Sequence, residues 1–207
     1  MAIARDAALG FIYPANLACL EAMGAALSFF SPLEDTSLPA CDALWLPGGY
    51  PELHLEALSA NRSMIDAVRG HHAEGKPLLA ECGGMLYCLD DLEDRQGACA
   101  RMAGLIAGKA VMQPRLAALG LQQVELPGGA LRGHTFHYSR MDTEQPAQAW
   151  ATTRDGRKGE PVFRSGSLTA SYMHFYFPSA RRAVARIFRP QAYGCAGQEN
   201  RMAGTAG

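Results

Sequence analysis

The sequence predicts an α/β fold: a doubly wound, mostly parallel sheet flanked by helices, with antiparallel additions in the C-terminal half. Three observations carry that expectation. Strand-like and helix-like segments alternate through the first part of the chain, the order that builds βαβ units. Ala43-Leu44-Trp45-Leu46 is short and wholly apolar, as suits a strand covered on both faces. From about residue 97 the texture turns Gly-rich and β-like, with no Pro/Ser-rich linker before it, so the later strands are expected to extend the same sheet rather than form a second domain.

The bulk numbers suit one domain of ordinary composition. The chain has 207 residues, 48% hydrophobic and 19% charged, with 19 basic and 20 acidic residues and a formal charge of −1. That balance leaves no electrostatic footprint for nucleic acid or for an anionic membrane surface. No apolar run is long enough to span a bilayer, and Met1-Ala2-Ile3-Ala4-Arg5-Asp6 lacks the basic-then-apolar layout of a secretory signal, so a cytoplasmic setting is the default. The six cysteines at 19, 41, 82, 88, 99 and 195 contain no C-x-x-C pair and no neighbouring His at metal-ligand spacing, which speaks against a zinc site or a disulfide framework.

In chain order, Ile3-Ala4-Arg5-Asp6 reads as a strand with an abrupt start, suited to a natural domain or to a piece of a longer polypeptide. Leu17, Leu20 and Met23 recur at helical spacing between Pro14, a helix-start residue, and Gly24, a helix-stop residue. Leu27 to Phe30 is a second strand and Ala43 to Leu46 a third, running into Pro47-Gly48-Gly49-Tyr50-Pro51. Leu53 to Glu74 is helical, with Leu55, Leu58, Met64, Ile65 and Val68 facing inward and Asn61 able to break or recap it. Lys76 to Glu81 is the next strand. Leu119 to Glu125, Ala130 to Arg140, Ala147 to Thr153 and Leu168 to Phe177 are β-like, and Pro178 to Phe188 is the last helix. The expected domain is 1–190, and the Gly/Ala-rich stretch 191–207 is expected to be a disordered tail.

The chemistry concentrates where the Lys76 to Glu81 strand meets Cys82-Gly83-Gly84 and the helix-compatible Met85 to Leu89. A thiol at a sharp strand-to-helix turn is either a packed core residue or a presented nucleophile, with free N–H groups at the helix start favouring the thiolate. The backbone N–H groups of Gly83 and Gly49 would share one edge of the sheet and can form an oxyanion hole, although Pro47-Gly48-Gly49 also suits a plain turn. A base must come from six histidines. His71 and His72 lie on a polar helical stretch and are expected to be solvated, and His54 could line a pocket rim. His134 and His137 would face opposite sides of a strand, so no metal is expected between them. His174, among aromatics at a strand end, is the leading base and otherwise a core histidine.

Leu46-Pro47-Gly48-Gly49-Tyr50-Pro51-Glu52, Ala80-Glu81-Cys82-Gly83-Gly84-Met85 and Ser171-Tyr172-Met173-His174, in that order, resemble the class I, triad-type glutamine amidotransferase domain with its flavodoxin-like fold. They are similar, more narrowly, to its version in cobyrinic and hydrogenobyrinic acid a,c-diamide synthases, as are Ala4-Arg5-Asp6, Tyr13 to Leu17 and Gly133 to Ser139. The resemblance implies Cys82 as nucleophile and His174 as the residue that raises its nucleophilicity. Many members of the wider class carry a Glu two residues after the His, where this chain has Tyr176.

The resemblance also implies L-glutamine as substrate and an N-terminal ATP-binding synthetase domain that uses ATP and Mg to activate two carboxylates of a corrin precursor. The chain has no G-x-x-x-x-G-K-[ST] phosphate loop, so that domain is expected to be absent from it. A cobyric acid synthase, a nickel-sirohydrochlorin diamide synthase and a peptidoglycan-amidating enzyme are rivals within the branch. A non-catalytic docking domain and a cysteine peptidase are rivals outside it. A homodimer stays open, and the contacts to the glutamine side chain are not legible.

Overall fold

The computed structural model describes residues 1–189, so the tail expected over 191–207 lies outside the described residues. The first part alternates as expected: β1 (Ala2–Ala4), α1 (Pro14–Ala22), β2 (Ser28–Phe30), β3 (Leu44–Leu46), a 3₁₀ turn (Pro51–Leu53), α2 (Leu55–Ala60), α3 (Arg62–Ala73), β4 (Leu78–Glu81) and α4 (Gly83–Tyr87). Pro14 sits in the first turn of α1, and Gly24, at φ 90°, follows its end in the left-handed conformation that glycine accepts. Asn61 splits the long helix: its side chain accepts from Met64 N at 3.3 Å to start α3.

The remainder is mostly strand: β5 (Leu89–Glu93), β6 (Cys99–Arg101), β7 (Ile106–Met112), β8 (Ala118–Leu126), β9 (Gly129–His137), β10 (Ser139–Asp142), β11 (Ala147–Thr153), β12 (Lys158–Ser165), β13 (Leu168–Ser171) and β14 (His174–Phe175). A 3₁₀ turn at Phe177–Ser179 leads into α5 (Arg181–Ile187).

Ten strands form one mixed sheet, in the order β14-β9-β8-β11-β12-β13-β4-β3-β1-β2. The five from β13 to β2 are parallel, and the other five join antiparallel. The expectation that every later strand extends this sheet needs correction. β10, β7, β5 and β6 form a separate four-stranded sheet, with the expected Ala130 to Arg140 strand divided between the two. Tyr138 is the break: β9 pairs with β8, whereas β10 pairs with β7.

Strand alternation divides the core. Leu44, Leu46, Leu78 and Ala80 pack towards Leu58, Ile65, Val68 and Met85 of α2, α3 and α4, whereas Ile3, Trp45 and Leu79 pack with Leu20 of α1 and Val184 of α5. Both faces of β1, β3 and β4 are therefore buried, which is why they read as apolar runs. Their carboxyl ends gather the turns that follow β1, β3, β4 and β13.

Candidate active site

β4 ends on Glu81, and the backbone reverses at Cys82 with φ 44° and ψ −109°. Cys82 is the only non-glycine residue with positive φ among those described. A bulky left-handed conformation of this kind costs on the order of 1–3 kcal/mol and persists only when its surroundings impose it. Here they do: Cys82 N–H donates to Ser171 O of β13 at 2.8 Å, and Cys82 O accepts from Leu86 N in the first turn of α4 at 2.9 Å.

The glycines permit close backbone contact. A Cβ on Gly83 would lie 2.8 Å from Gly49 N, and one on Gly84 would lie 2.1 Å from Leu46 O. Gly84 N–H donates to Pro47 O at 3.0 Å, locking the turn after β3 against the turn after β4. A Cβ on Gly49 would meet Ala8 O at 2.0 Å. That carbonyl belongs to a loop held by Asp6, whose carboxylate accepts from Ala8 N, Leu9 N, Ser31 Oγ and Leu33 N. The amides of Gly49 and Gly83 thus lie side by side next to the sulfur, and Gly49 N–H donates to no described group.

His174 stands just past the end of β13, and its ring fills the space above Gly48, where a Cβ would come within 2.2 Å of Cε1 and 2.6 Å of Nδ1. Its ring stacks on His134 at 4.8 Å and 17°, with the edge of Phe11 at 4.6 Å. Tyr13 Oη hydrogen-bonds His134 Nδ1 at 2.7 Å, so the supporting ring is itself held.

Two buried polar side chains fix the two-residue strand that carries His174. Glu81 accepts from Phe175 N at 2.8 Å and from Trp45 Nε1 at 2.9 Å. Asn16 of α1 donates to Phe175 O and accepts from Phe177 N, both at 2.8 Å. Together they satisfy β14 on the edge that lacks a neighbouring strand.

Cys82 and His174 flank the same turn, His174 against Gly48 and the Gly83 that follows Cys82 against Gly49, and no hydrogen bond joins them. Cys82 Sγ lies 3.9 Å from the Phe136 carbonyl and beside the Gly83 N–H, and His174 Nδ1 is buried without a partner among the described residues. Burial pushes the Cys82 thiol up to about 12, against the Gly83 N–H that lowers it, with Glu52, Glu81 and Glu160 adding to the rise. The expected thiolate is therefore not the resting form, because the dry surroundings outweigh a five-residue helix. Burial, helped by His134 and His137, pushes His174 down to about 3, so its imidazole is neutral. Glu81 is raised to about 8 by burial.

The cleft that reaches Cys82 has a volume of about 30 Å³, room for roughly two waters, and is walled by Glu52, Leu86, Met112, Phe136, His137 and Tyr138. Two larger hollows, of about 570 Å³ beside Leu121 and Arg132 and about 500 Å³ beside Arg164 and Arg186, are lined by no cysteine or histidine.

Three further histidines serve as supports. His71 is buried, not solvated, with Nε2 on Pro77 O at 3.1 Å, and His72 Nε2 bonds Ser165 O at 2.7 Å. His137 stacks on Tyr172 at 3.7 Å, with its ring nitrogens on Ser139 O and Glu160 Oε1. No group of three metal-ligating side chains occurs among the described residues, and Cys19, Cys41, Cys82, Cys88 and Cys99 are free. Sequence reasoning passed over Glu81 and Asn16, though each leaves a signal: a charge closing an apolar strand, and an amide within the apolar segment of α1.

Comparison with known proteins fits this geometry. A family model described as the CobB/CobQ-like glutamine amidotransferase domain matches residues 1–182. The chain is 59% identical over 189 residues to hydrogenobyrinate a,c-diamide synthase of Stutzerimonas stutzeri, covering 91% of this chain and 44% of that protein. It is 57% identical to the enzyme of that name from Pseudomonas aeruginosa, again over 91% of this chain and 43% of the other, and 40% identical to cobyrinate a,c-diamide synthase of Salmonella typhimurium, over 86% and 41%. The chain thus spans less than half the length of these relatives. A solved glutamine amidotransferase superposes with a TM-score of 0.57 at 18% identity, covering 84% of this chain and 89% of that one, which bears on the fold alone.

Proposed function

The chain belongs to the CobB/CobQ-like glutamine amidotransferase domain family, and from that premise we propose that it is the glutaminase part of a cobyrinate or hydrogenobyrinate a,c-diamide synthase in cobalamin biosynthesis. Cys82 Sγ attacks the side-chain amide carbon of glutamine. The oxygen, negative in the tetrahedral intermediate, accepts from the N–H groups of Gly49 and Gly83. His174 takes the thiol proton and passes it to the departing nitrogen, which leaves as ammonia. Water then attacks the glutamyl thioester, releasing glutamate and restoring the thiol.

The observation that carries this reading is the strained turn at Cys82, which aims the sulfur at the carboxyl edge of the sheet between two unhindered amides. A core thiol has no use for such strain. Glu81 and Asn16 support His174 as its partner, because buried polar groups spent on a two-residue strand make sense where that strand must not shift. They also supply rigidity from the backbone side, where Tyr176 offers no carboxylate.

The synthetase half, with its ATP and Mg, lies outside this chain in the proposal, and the corrin a and c carboxylates receive the ammonia there. The names and lengths of the relatives support that division. Incubation with a glutamine-mimicking electrophile should label Cys82, and Cys82→Ala or Cys82→Ser should abolish the label; a label that persists in these variants would move the nucleophile elsewhere. Paired with its synthetase half, the protein should amidate hydrogenobyrinate or cobyrinate with glutamine as nitrogen donor; failure with both, alongside active labelling, would point to another acceptor.

A further inference from the structure

Glutamine brings to the Cys82 cleft an amide at one end and an α-ammonium and α-carboxylate at the other. Glu52 is the one carboxylate among the residues that wall this cleft. It stands in the 3₁₀ turn Pro51–Leu53, directly after the Gly48-Gly49 turn that touches Gly83. Glu52 forms no ion pair with any described residue. Burial raises its carboxyl above the ordinary range, against its own backbone N–H and, more weakly, the Arg95 guanidinium, which pull the other way. Arg95 lies over the ring of Tyr138, another wall of the cleft, with Cζ 4.7 Å from the ring centroid.

A carboxylate in the wall of the cleft that reaches the sulfur, and a guanidinium lying over Tyr138 of the same wall, complement an amino-acid head group. We propose that Glu52 binds the α-ammonium of glutamine and Arg95 its α-carboxylate, fixing the amide end against Cys82. The assignment rests on Cys82 as the nucleophile and names the contacts that select its substrate. An ammonium beside Glu52 compensates the burial of that carboxylate, which water does poorly in so narrow a space. Glutarate monoamide, which lacks the ammonium, would leave Glu52 unpaired and bind less well.

The test uses this chain and two electrophiles, 6-diazo-5-oxo-L-norleucine and its counterpart without the α-amino group, with Cys82 labelling followed by peptide mass spectrometry. The wild-type chain should react faster with the amino compound by about 10- to 100-fold, the weight of one charge-assisted hydrogen bond. Glu52→Gln should erase that preference, slowing the amino compound while the other reacts no more slowly than before, since a negative charge beside the sulfur is removed, whereas Arg95→Gln should slow both. If Glu52→Gln slows both compounds alike, Glu52 handles a proton instead of the ammonium and the proposal falls; if it slows neither, Glu52 is a bystander. Normal Cys82 labelling with no preference for the amino compound overturns this inference alone. No label at Cys82 with either compound overturns the nucleophile assignment, and this inference with it.

Discussion

Replacing Glu81 by glutamine tests whether a buried carboxyl governs both the stability of the sheet and the placement of His174. Burial moves this group from 4.5 to about 8. Below 4.5 it is protonated in the folded and unfolded chain alike, so its contribution is fully present there. As pH rises through that interval the unfolded chain ionises and the folded chain does not, and stability drains away until both are ionised above about 8. The total loss is at most about 5 kcal/mol. Glutamine does not titrate, and it must set an NH₂ against either Trp45 Nε1–H or Phe175 N–H, a pH-independent cost of about 1–3 kcal/mol. Glu81→Gln should therefore be clearly weaker than wild type at pH 5, with the gap closing or reversing towards pH 8.5. Urea titrations followed by far-UV circular dichroism at several pH values measure this, and Trp45 fluorescence should titrate only in the wild-type chain. A gap that stays constant across the interval would show that Glu81 does not titrate there and would refute the reasoning.

Gly48→Ala would place a methyl carbon 2.2 Å from His174 Cε1; glutamine hydrolysis should fall by roughly 100-fold with the far-UV spectrum intact, and near-normal turnover would remove His174 from the chemistry. His134→Phe, which keeps an aromatic face under His174, should retain most of the activity that His134→Ala loses, and equal losses in the two would show that stacking is not what His134 supplies. Iodoacetamide at pH 8 should modify the exposed Cys99 well before Cys82, as peptide mass spectrometry can follow, and the reverse order would contradict a protonated resting thiol. Asn61→Ala removes the cap of α3 and the amide contacts to Pro32 O and Asp35 O, so it should cost about 1–2 kcal/mol by urea titration.

β1, β3 and β4 were legible because both of their faces are covered, whereas Leu168 to Phe177, expected as an antiparallel addition, supplies β13, which pairs parallel with β4 and antiparallel with β12. Leu44-Trp45-Leu46 and Leu78-Leu79-Ala80 carry no polar residue to disguise them, and Pro14, Gly24 and Asn61 mark helix ends by backbone chemistry that operates locally. The second sheet was hidden. β5 reads Leu-Asp-Asp-Leu-Glu, a pattern that suits a charged turn as well as an edge strand, and the move of the chain between sheets at Tyr138 depends on pairing partners distant in sequence. Cys82 and Gly83 were legible because a strand-to-helix turn is local. What holds His174 was not: Asn16 lies 159 positions from the carbonyl it binds and Glu81 lies 94 from the amide it accepts, and neither pattern nor spacing reports such a contact.

Burial explains both the quiet resting state and the route out of it. A thiol near 12 and an imidazole near 3 hold the proton on sulfur, and Glu52, the acid in the cleft wall, helps to keep it there. An α-ammonium seated against Glu52 cancels that negative charge next to the sulfur, so the substrate that is to be attacked also makes the thiolate easier to form. The cleft must widen beyond about 30 Å³ to admit glutamine, and widening wets the sulfur and the imidazole, moving their affinities for the proton towards each other from opposite sides. Neither effect requires β14 to move, and Glu81 and Asn16 hold it in place. Under the proposed assignment, recognition of the amino-acid head group and activation of the thiol are one electrostatic event, and a ligand without the ammonium fails twice, once in binding and once in leaving the proton on sulfur.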